Sequence, residues 1–198
     1  MNILKVLQQH LINLTWDASK RRPKTWVFKT AGITAFLIIL FVGVFDIFKF
    51  RDYRVDPDRV WAYVQRVAPE ENLDPRFVYA LCMAESSLNA HARTSVARGM
   101  MQLSKPAWEE AGGGWYYRAW NWKVNIRMGV AYLGWLKDFL KAERKLTYPM
   151  LAAAYRYGPY QVKAWDFDLN RKPEVRNLIY KEILAGNPYP VATPGSGD

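Results

Sequence analysis

One acidic side chain between Asp74 and Asn89 stands where an apolar one is expected. Asp74-Pro75 is a cap followed by a first-turn proline, which predicts a helix running to about Leu88. Phe77, Leu81 and Leu88 share a face of that helix, and Glu85 falls within about 80° of all three. A carboxylate on a buried face is costly unless it is paired or kept protonated. It is either paired with an arginine such as Arg93 or Arg98, or a general acid whose pKa is raised by apolar surroundings. The second arrangement suits proton donation near neutral pH. Cys82, three residues earlier, has apolar neighbours and only His91 in the same region as a base, so it reads as a buried structural thiol rather than a nucleophile.

The chain around these residues has 198 positions, enough for one domain and an appendage. A composition 51% hydrophobic and 15% aromatic excludes a disordered protein. One cysteine and two histidines exclude an internal disulfide framework and leave little for a structural zinc site. No P-loop or GxGxxG is present, so nucleotide chemistry has no support. The net charge is +10, and residues 1–50 carry seven Lys/Arg against two Asp/Glu, half of the excess in a quarter of the chain.

That first quarter reads as a membrane device. Thr30 to Phe45 is sixteen residues without a charge, and Trp26 to Phe48 is twenty-three interrupted only by Lys29 and Asp46. Such a length spans a hydrocarbon core, with Lys29 snorkelling and Trp26 at the interface. Some 29 residues precede the run and no small-x-small site follows it, which disfavours a cleaved signal. Lys20, Arg21, Arg22, Lys24 and Lys29 crowd its N-terminal side, while Lys49, Arg51, Arg54 and Arg59 are mixed with acids on the other. The expected orientation is N-terminus inside and the large domain outside. Ile3, Leu7, Leu11 and Leu14 form a helical stripe that suits the inner leaflet or a partner protein.

Beyond residue 52 the pattern is helical. Val60, Val64 and Val67 form a stripe stopped by Pro69. Gly112-Gly113-Gly114 breaks the chain, and Ile126, Val130, Leu133 and Leu140 mark a long helix. A shorter one over Leu151 to Tyr155 is stopped by Gly158-Pro159. A last helix is expected to start at Pro173, with Val175, Leu178, Ile179 and Ile183 on one face and Gly186 as its stop. No alternating run is long enough for a sheet. The organisation read is a basic amphipathic segment at 1–25, a transmembrane helix at 26–48, a linker at 49–56, an all-α domain at 57–186 and a disordered tail at 187–198.

Glu85-Ser86-Ser87-Leu88-Asn89-Ala90-His91-Ala92, then Ala97-Arg98-Gly99-Met100-Met101-Gln102-Leu103, resembles the signature of the soluble-lytic-transglycosylase-like family. These are bacterial enzymes of lysozyme-like fold that cleave peptidoglycan. Asp74-Pro75 with Phe77, Val78 and Ala80 looks like the helix leading into the family's catalytic glutamate. Asn125-Ile126 with Gly129-Val130 and Tyr132-Leu133 looks like its central helix. Ala153-Ala154-Tyr155 with Gly158-Pro159 and Val162 looks like its Ala-Tyr-Asn-Ala-Gly motif. The four blocks stand in family order across roughly 57–185.

The resemblance implies that Glu85 protonates the glycosidic oxygen between N-acetylmuramic acid and N-acetylglucosamine, then acts as base while the muramoyl C6 hydroxyl attacks its own C1. An internal nucleophile removes the need for the second carboxylate of a hydrolase. No second acid sits in a recognisable motif, with Glu109, Glu110 and Asp74 left open. The resemblance also places Ser86 near Glu85, Met101 and Gln102 in the groove wall with Gln102 on sugar, and Tyr155 against the carboxylate. Core packing is the alternative for Met100 and Met101, an equal one for Met100, and a core tyrosine is the alternative for Tyr155. Two departures lie around the groove. Arg156 replaces the family's asparagine, followed by Tyr157 where a small residue is usual, and the loop from Ala92 to Gly99 is one residue short, so Thr94 and Ser95 compete for a substrate-binding serine.

Trp115, Tyr116, Tyr117, Trp120 and Trp122 crowd the stretch after the triple glycine, and Tyr117 is the chosen candidate for sugar stacking. The expected function is a lytic transglycosylase anchored in the bacterial inner membrane with its domain on the periplasmic side. It would act on peptidoglycan glycan strands, alone or with a secretion, conjugation, phage or cell-wall assembly. A hydrolytic muramidase and a non-catalytic wall-binding scaffold are the alternatives. No metal or organic cofactor is implied, and nucleic acid is not an expected partner.

Overall fold

A computed structural model describes the backbone of residues 3–17, 22–23, 25–50 and 52–195, and the side-chain surroundings of 4, 5, 7–11, 29–43 and 52–195. The chain divides into units at Met1–Arg51 and Asp52–Asp198.

In the first unit α1 (Ile3–Thr15) leads into the antiparallel pair β1 (Trp16–Asp17) and β2 (Arg22–Pro23), followed by α2 (Thr25–Phe50). Leu4, Leu7 and Leu11 are exposed on α1, and Ile33, Phe36, Leu37, Ile38, Ile39 and Phe41 on α2. Among the described residues, no helix is long and apolar enough to cross a membrane. The side chains of Ile3, Leu14, Lys20, Arg21, Arg22, Lys24, Trp26, Asp46, Phe48, Lys49 and Arg51 lie outside the described residues.

In the second unit α3 (Pro57–Val67) is capped by Asp56, which accepts from the Arg59 backbone N–H at 3.1 Å. It buries Val60, Tyr63, Val64 and Val67, and a 3₁₀ turn over Ala68–Glu71 ends it at Pro69. Asp74 caps α4 (Pro75–Ser86), which buries Phe77 through Cys82. This helix stops at Ser87, whose φ of 50° is left-handed, so Leu88 lies beyond it rather than within it. A two-residue hairpin, β3 (Ala97–Arg98) with β4 (Leu103–Ser104), runs into α5 (Lys105–Glu110). Such short strands leave no alternation to read in a sequence, and neither they nor α5 were expected.

Asn121 caps the long α6 (Trp122–Ala142), and Thr147 caps α7 (Tyr148–Tyr157). Gly158, at φ 93°, turns the chain so that Pro159 stops one helix and starts the next, α8 (Pro159–Ala164). The last helix, α9 (Leu178–Leu184), does not begin at Pro173. Asn177 starts it by accepting from the Tyr180 N–H at 3.0 Å. Its buried face is Tyr180, Ile183 and Leu184, whereas Leu178 is 74% exposed.

Two boundary regions are tied to the domain. Tyr53 donates its N–H to Asn89 Oδ1 at 3.0 Å, and Val55 donates to the Leu88 carbonyl at 3.0 Å, so the second half of the expected linker is knitted into the fold. In the expected disordered tail, residues 187–195 hold no helix or strand, yet Tyr189 and Val191 pack against the core and the Arg76 guanidinium lies 3.9 Å from the Tyr189 ring.

The core is threaded by α6, where Asn125 is fully buried. Its Oδ1 accepts from the Met101 N–H at 2.7 Å, and its Nδ2 donates to the carbonyls of Arg98 at 3.0 Å and Ala119 at 3.1 Å. Asn125→Ala is expected to cost roughly 2–4 kcal/mol, because it orphans a buried N–H and two carbonyls. Urea unfolding followed by tryptophan fluorescence should show that drop as a lower midpoint.

Candidate active site

Glu85 is the next-to-last residue of α4, half-buried, and its Oε1 accepts a hydrogen bond from the Tyr180 hydroxyl of α9. Neither Arg93 nor Arg98 is its partner; Arg98 instead lies over the rings of Tyr116 at 4.7 Å and Trp120 at 5.6 Å. Burial raises the Glu85 pKa above the ordinary glutamate range, opposed by the Tyr180 hydrogen bond and by the positive charge of Arg156. No second carboxylate acts on it among the described residues. Asp74, eleven residues back on the same helix, is about 16 Å away along the axis. It is held below the usual carboxylate range by its hydrogen bond from Arg76. Glu109 and Glu110 are exposed on α5, with Glu109 3.7 Å from Lys105.

Asn177 brings the acid and the tyrosine together. Its Oδ1 caps α9, and its Nδ2 donates to the Ala84 carbonyl at 2.9 Å, next to Glu85. The cap that starts α9 thereby docks it on the end of α4 and aims Tyr180 at the carboxylate. Neither residue was read from the sequence as part of the site. The signal available was an Asn three residues before a Tyr in a helix-opening position.

The other expected site residues divide. The Ser86 hydroxyl donates to the Cys82 carbonyl at 3.3 Å, a bond within its own helix beside Glu85. Tyr155 is close enough to Glu85 for that charge, after burial, to push its own pKa well up. Its hydroxyl, however, donates to the Met101 carbonyl at 2.7 Å, so the hydroxyl on the carboxylate belongs to Tyr180. Met101 is fully buried and its sulfur packs against Gly129, so its side chain is core and not groove wall. Met100 is buried likewise. Gln102, left-handed at φ 47°, folds its amide back to donate to the Gly99 carbonyl at 2.8 Å. The Thr94 hydroxyl accepts from the Ala97 N–H at 3.0 Å and holds an exposed turn that also carries Ser95. Tyr117 stacks on Trp115, centroids 4.8 Å apart and planes 18° off parallel, with Trp115 73% exposed. Cys82 is buried, which pushes its thiol pKa up, and His91 packs instead on Tyr53 at 5.4 Å. Among the described residues, no group of three His, Cys, Asp or Glu is placed to hold a metal.

A carboxyl with a raised pKa can give up a proton to a leaving oxygen and take one back, and among the described residues no second carboxylate acts on it.

Residues 62–177 match the profile of the family described as Transglycosylase SLT domain. Among solved structures, an inactive mutant of the lytic transglycosylase Slt from Pseudomonas aeruginosa is similar at 25% identity with a TM-score of 0.45, over 62% of this chain and 20% of that one. The aligned part is a fifth of that longer protein. No curated protein matches the chain.

Because burial disfavours the ionised form of Glu85, Glu85→Gln is expected to stabilise the folded protein near neutral pH. The folded-state pKa is raised, so the penalty is absent below the ordinary glutamate value and grows as pH rises through the raised one. Thermal melts of the two proteins should therefore differ near pH 7.5 and converge near pH 4.

Proposed function

The chain belongs to the transglycosylase SLT family, and from that premise we propose that it is a peptidoglycan lytic transglycosylase with Glu85 as its acid and base. The observation that carries this reading is a half-buried carboxyl that, among the described residues, feels one charge, the cation of Arg156, and accepts its hydrogen bond from a tyrosine. With Oε1 engaged by Tyr180, Oε2 is left to carry the proton. That proton passes to the glycosidic oxygen as its bond to the muramoyl C1 breaks, releasing the N-acetylglucosamine hydroxyl. The muramoyl C6 oxygen then forms the new bond to C1, and its proton returns to Glu85. No water enters, the product ends in 1,6-anhydromuramic acid, and the carboxyl is restored for the next turn. A hydrolytic muramidase would need a second carboxylate near the first, and none of the charges acting on Glu85 is of that kind.

The same proposal places the domain outside the cytoplasmic membrane of a bacterium, tethered through residues 26–48 with the N-terminus inside. Its support is the uncharged run Thr30 to Phe45, the exposure of its apolar side chains on α2, and the basic cluster before it. A tether fits a substrate that lies beside the membrane.

Full-length protein in detergent, incubated with purified sacculi, is expected to release muropeptides with anhydro ends in mass spectrometry. Glu85→Gln should lower the rate on the order of 10³-fold. Fragments with reducing ends instead would mean that water is the nucleophile. The acid form of Glu85 is the active one at the first step, so the rate is expected to fall as pH rises through its raised pKa. Tyr180→Phe removes a hydrogen bond that stabilises the ionised form, so the alkaline limb of its pH–rate profile should move to higher pH than in the wild type.

A further inference from the structure

The surface beside Glu85 carries a cation that, among the described residues, forms no ion pair. That cation, Arg156, is exposed on the last turn of α7. Its guanidinium carbon lies 4.5 Å from the centre of the Tyr180 ring and 5.7 Å from that of Tyr157. The first of these is the ring whose hydroxyl holds Glu85, so the cation is one aromatic ring away from the carboxyl. Contact with two ring faces holds a guanidinium in place without using up its N–H donors. Those donors match a carboxylate in a paired, parallel geometry that a lysine cannot reproduce. Other basic side chains on this unit already have acids: Arg127 faces Glu70 at 3.0 Å, and Arg171 faces Asp166 at 3.0 Å.

We propose that Arg156 is a specificity residue that binds a carboxylate of the substrate next to the scissile bond, so that the site favours muramoyl units carrying a free negative charge. The proposal rests on the lytic transglycosylase reading above. Two sources supply that chemistry. One is the lactyl carboxylate on the muramoyl ring, which is free when the stem peptide has been removed. The other is the first carboxylate of an intact stem.

The test uses the full chain and reads turnover and binding side by side. Substrates are intact sacculi and strands stripped of their stems by an amidase. Each is also coupled to methylamine with a carbodiimide, which caps every carboxylate as a neutral amide. The wild type is expected to show a KM lower on uncapped than on capped material, on the order of tenfold, in at least one of the two substrate series. That ratio should fall to about one in Arg156→Gln and be kept in part by Arg156→Lys. A preference in the stripped series assigns the lactyl carboxylate, and one confined to intact sacculi assigns the stem. No preference in the wild type, or the same ratio in Arg156→Gln as in the wild type, overturns the proposal. Binding of the same materials to Glu85→Gln, with and without Arg156→Gln, repeats the comparison where nothing is cut. If the wild type releases no product, the transglycosylase reading fails, and the binding ratio still decides whether Arg156 selects a carboxylate.

Discussion

One buried amide holds the pieces around the acid in register. Asn125 satisfies both ends of its side chain with the backbone of other segments: Arg98 on β3, Met101 in the turn between β3 and β4, and Ala119 in a 3₁₀ turn (Tyr116–Trp120) that precedes α6. Several neighbouring choices make sense only with that amide in place. Gly99 is left-handed at φ 82°, and a Cβ there would strike Asn125 and the Ala119 carbonyl. Gly129, one turn along α6, leaves the space that the Met101 side chain fills. Met101, fixed at its N–H by Asn125, presents its carbonyl to the Tyr155 hydroxyl and so ties α7 to the same loop. A fully satisfied polar group in a core specifies one arrangement, because each alternative leaves a donor or acceptor orphaned.

The acid is treated in the opposite way. Glu85 is withdrawn from water far enough to raise its pKa, then given, among the described residues, one hydrogen bond and a cation at the distance of an aromatic ring. Complete pairing would fix the proton off the carboxyl, and complete isolation would fix it on. The intermediate arrangement leaves a carboxyl able to change state within one reaction cycle, and the fold carries the cost of burying it. Since the tyrosine comes from α9 and the cation from α7, the proton affinity of a residue on α4 depends on where two later helices dock. Asn177 sets the docking of α9 through its bond to the Ala84 carbonyl.

These features were unequally legible in the amino-acid sequence. Asp74-Pro75 locates α4 and apolar stripes locate α3, α6 and α7, while the caps Asp56, Asn121 and Thr147 that start those three helices emerge from the structure. Glu85 announces itself by standing on an apolar face. Tyr180 does not, since Leu178 and Ile179 suggest a different inner face. Tertiary packing leaves Leu178 in water and turns the tyrosine inward. The family match ends at Asn177, three residues before it. The burial of Met101 is hard to read for a related reason: the gap that takes its side chain is made by a glycine on another helix, a relation that no local pattern carries. The two strands of the hairpin are too short to show a period, and Gln102 closes its amide on Gly99 through a left-handed backbone that a glutamine does not advertise.

The arginine beside the site has a consequence for the acid itself. Arg156 opposes burial by favouring the ionised form of Glu85, so in the empty site it works against the state from which a proton can be given. A carboxylate bound to its guanidinium would cancel that influence and leave burial to favour the proton on Glu85 while the sugar is in place. In the proposed reaction, once the glycosidic oxygen has been protonated, the ionised carboxylate would still have the Tyr180 hydroxyl to stabilise it until the C6 proton arrives. A site with one carboxylate depends on that hydroxyl during the interval, and a donor already in place stabilises the developing charge without reorganisation.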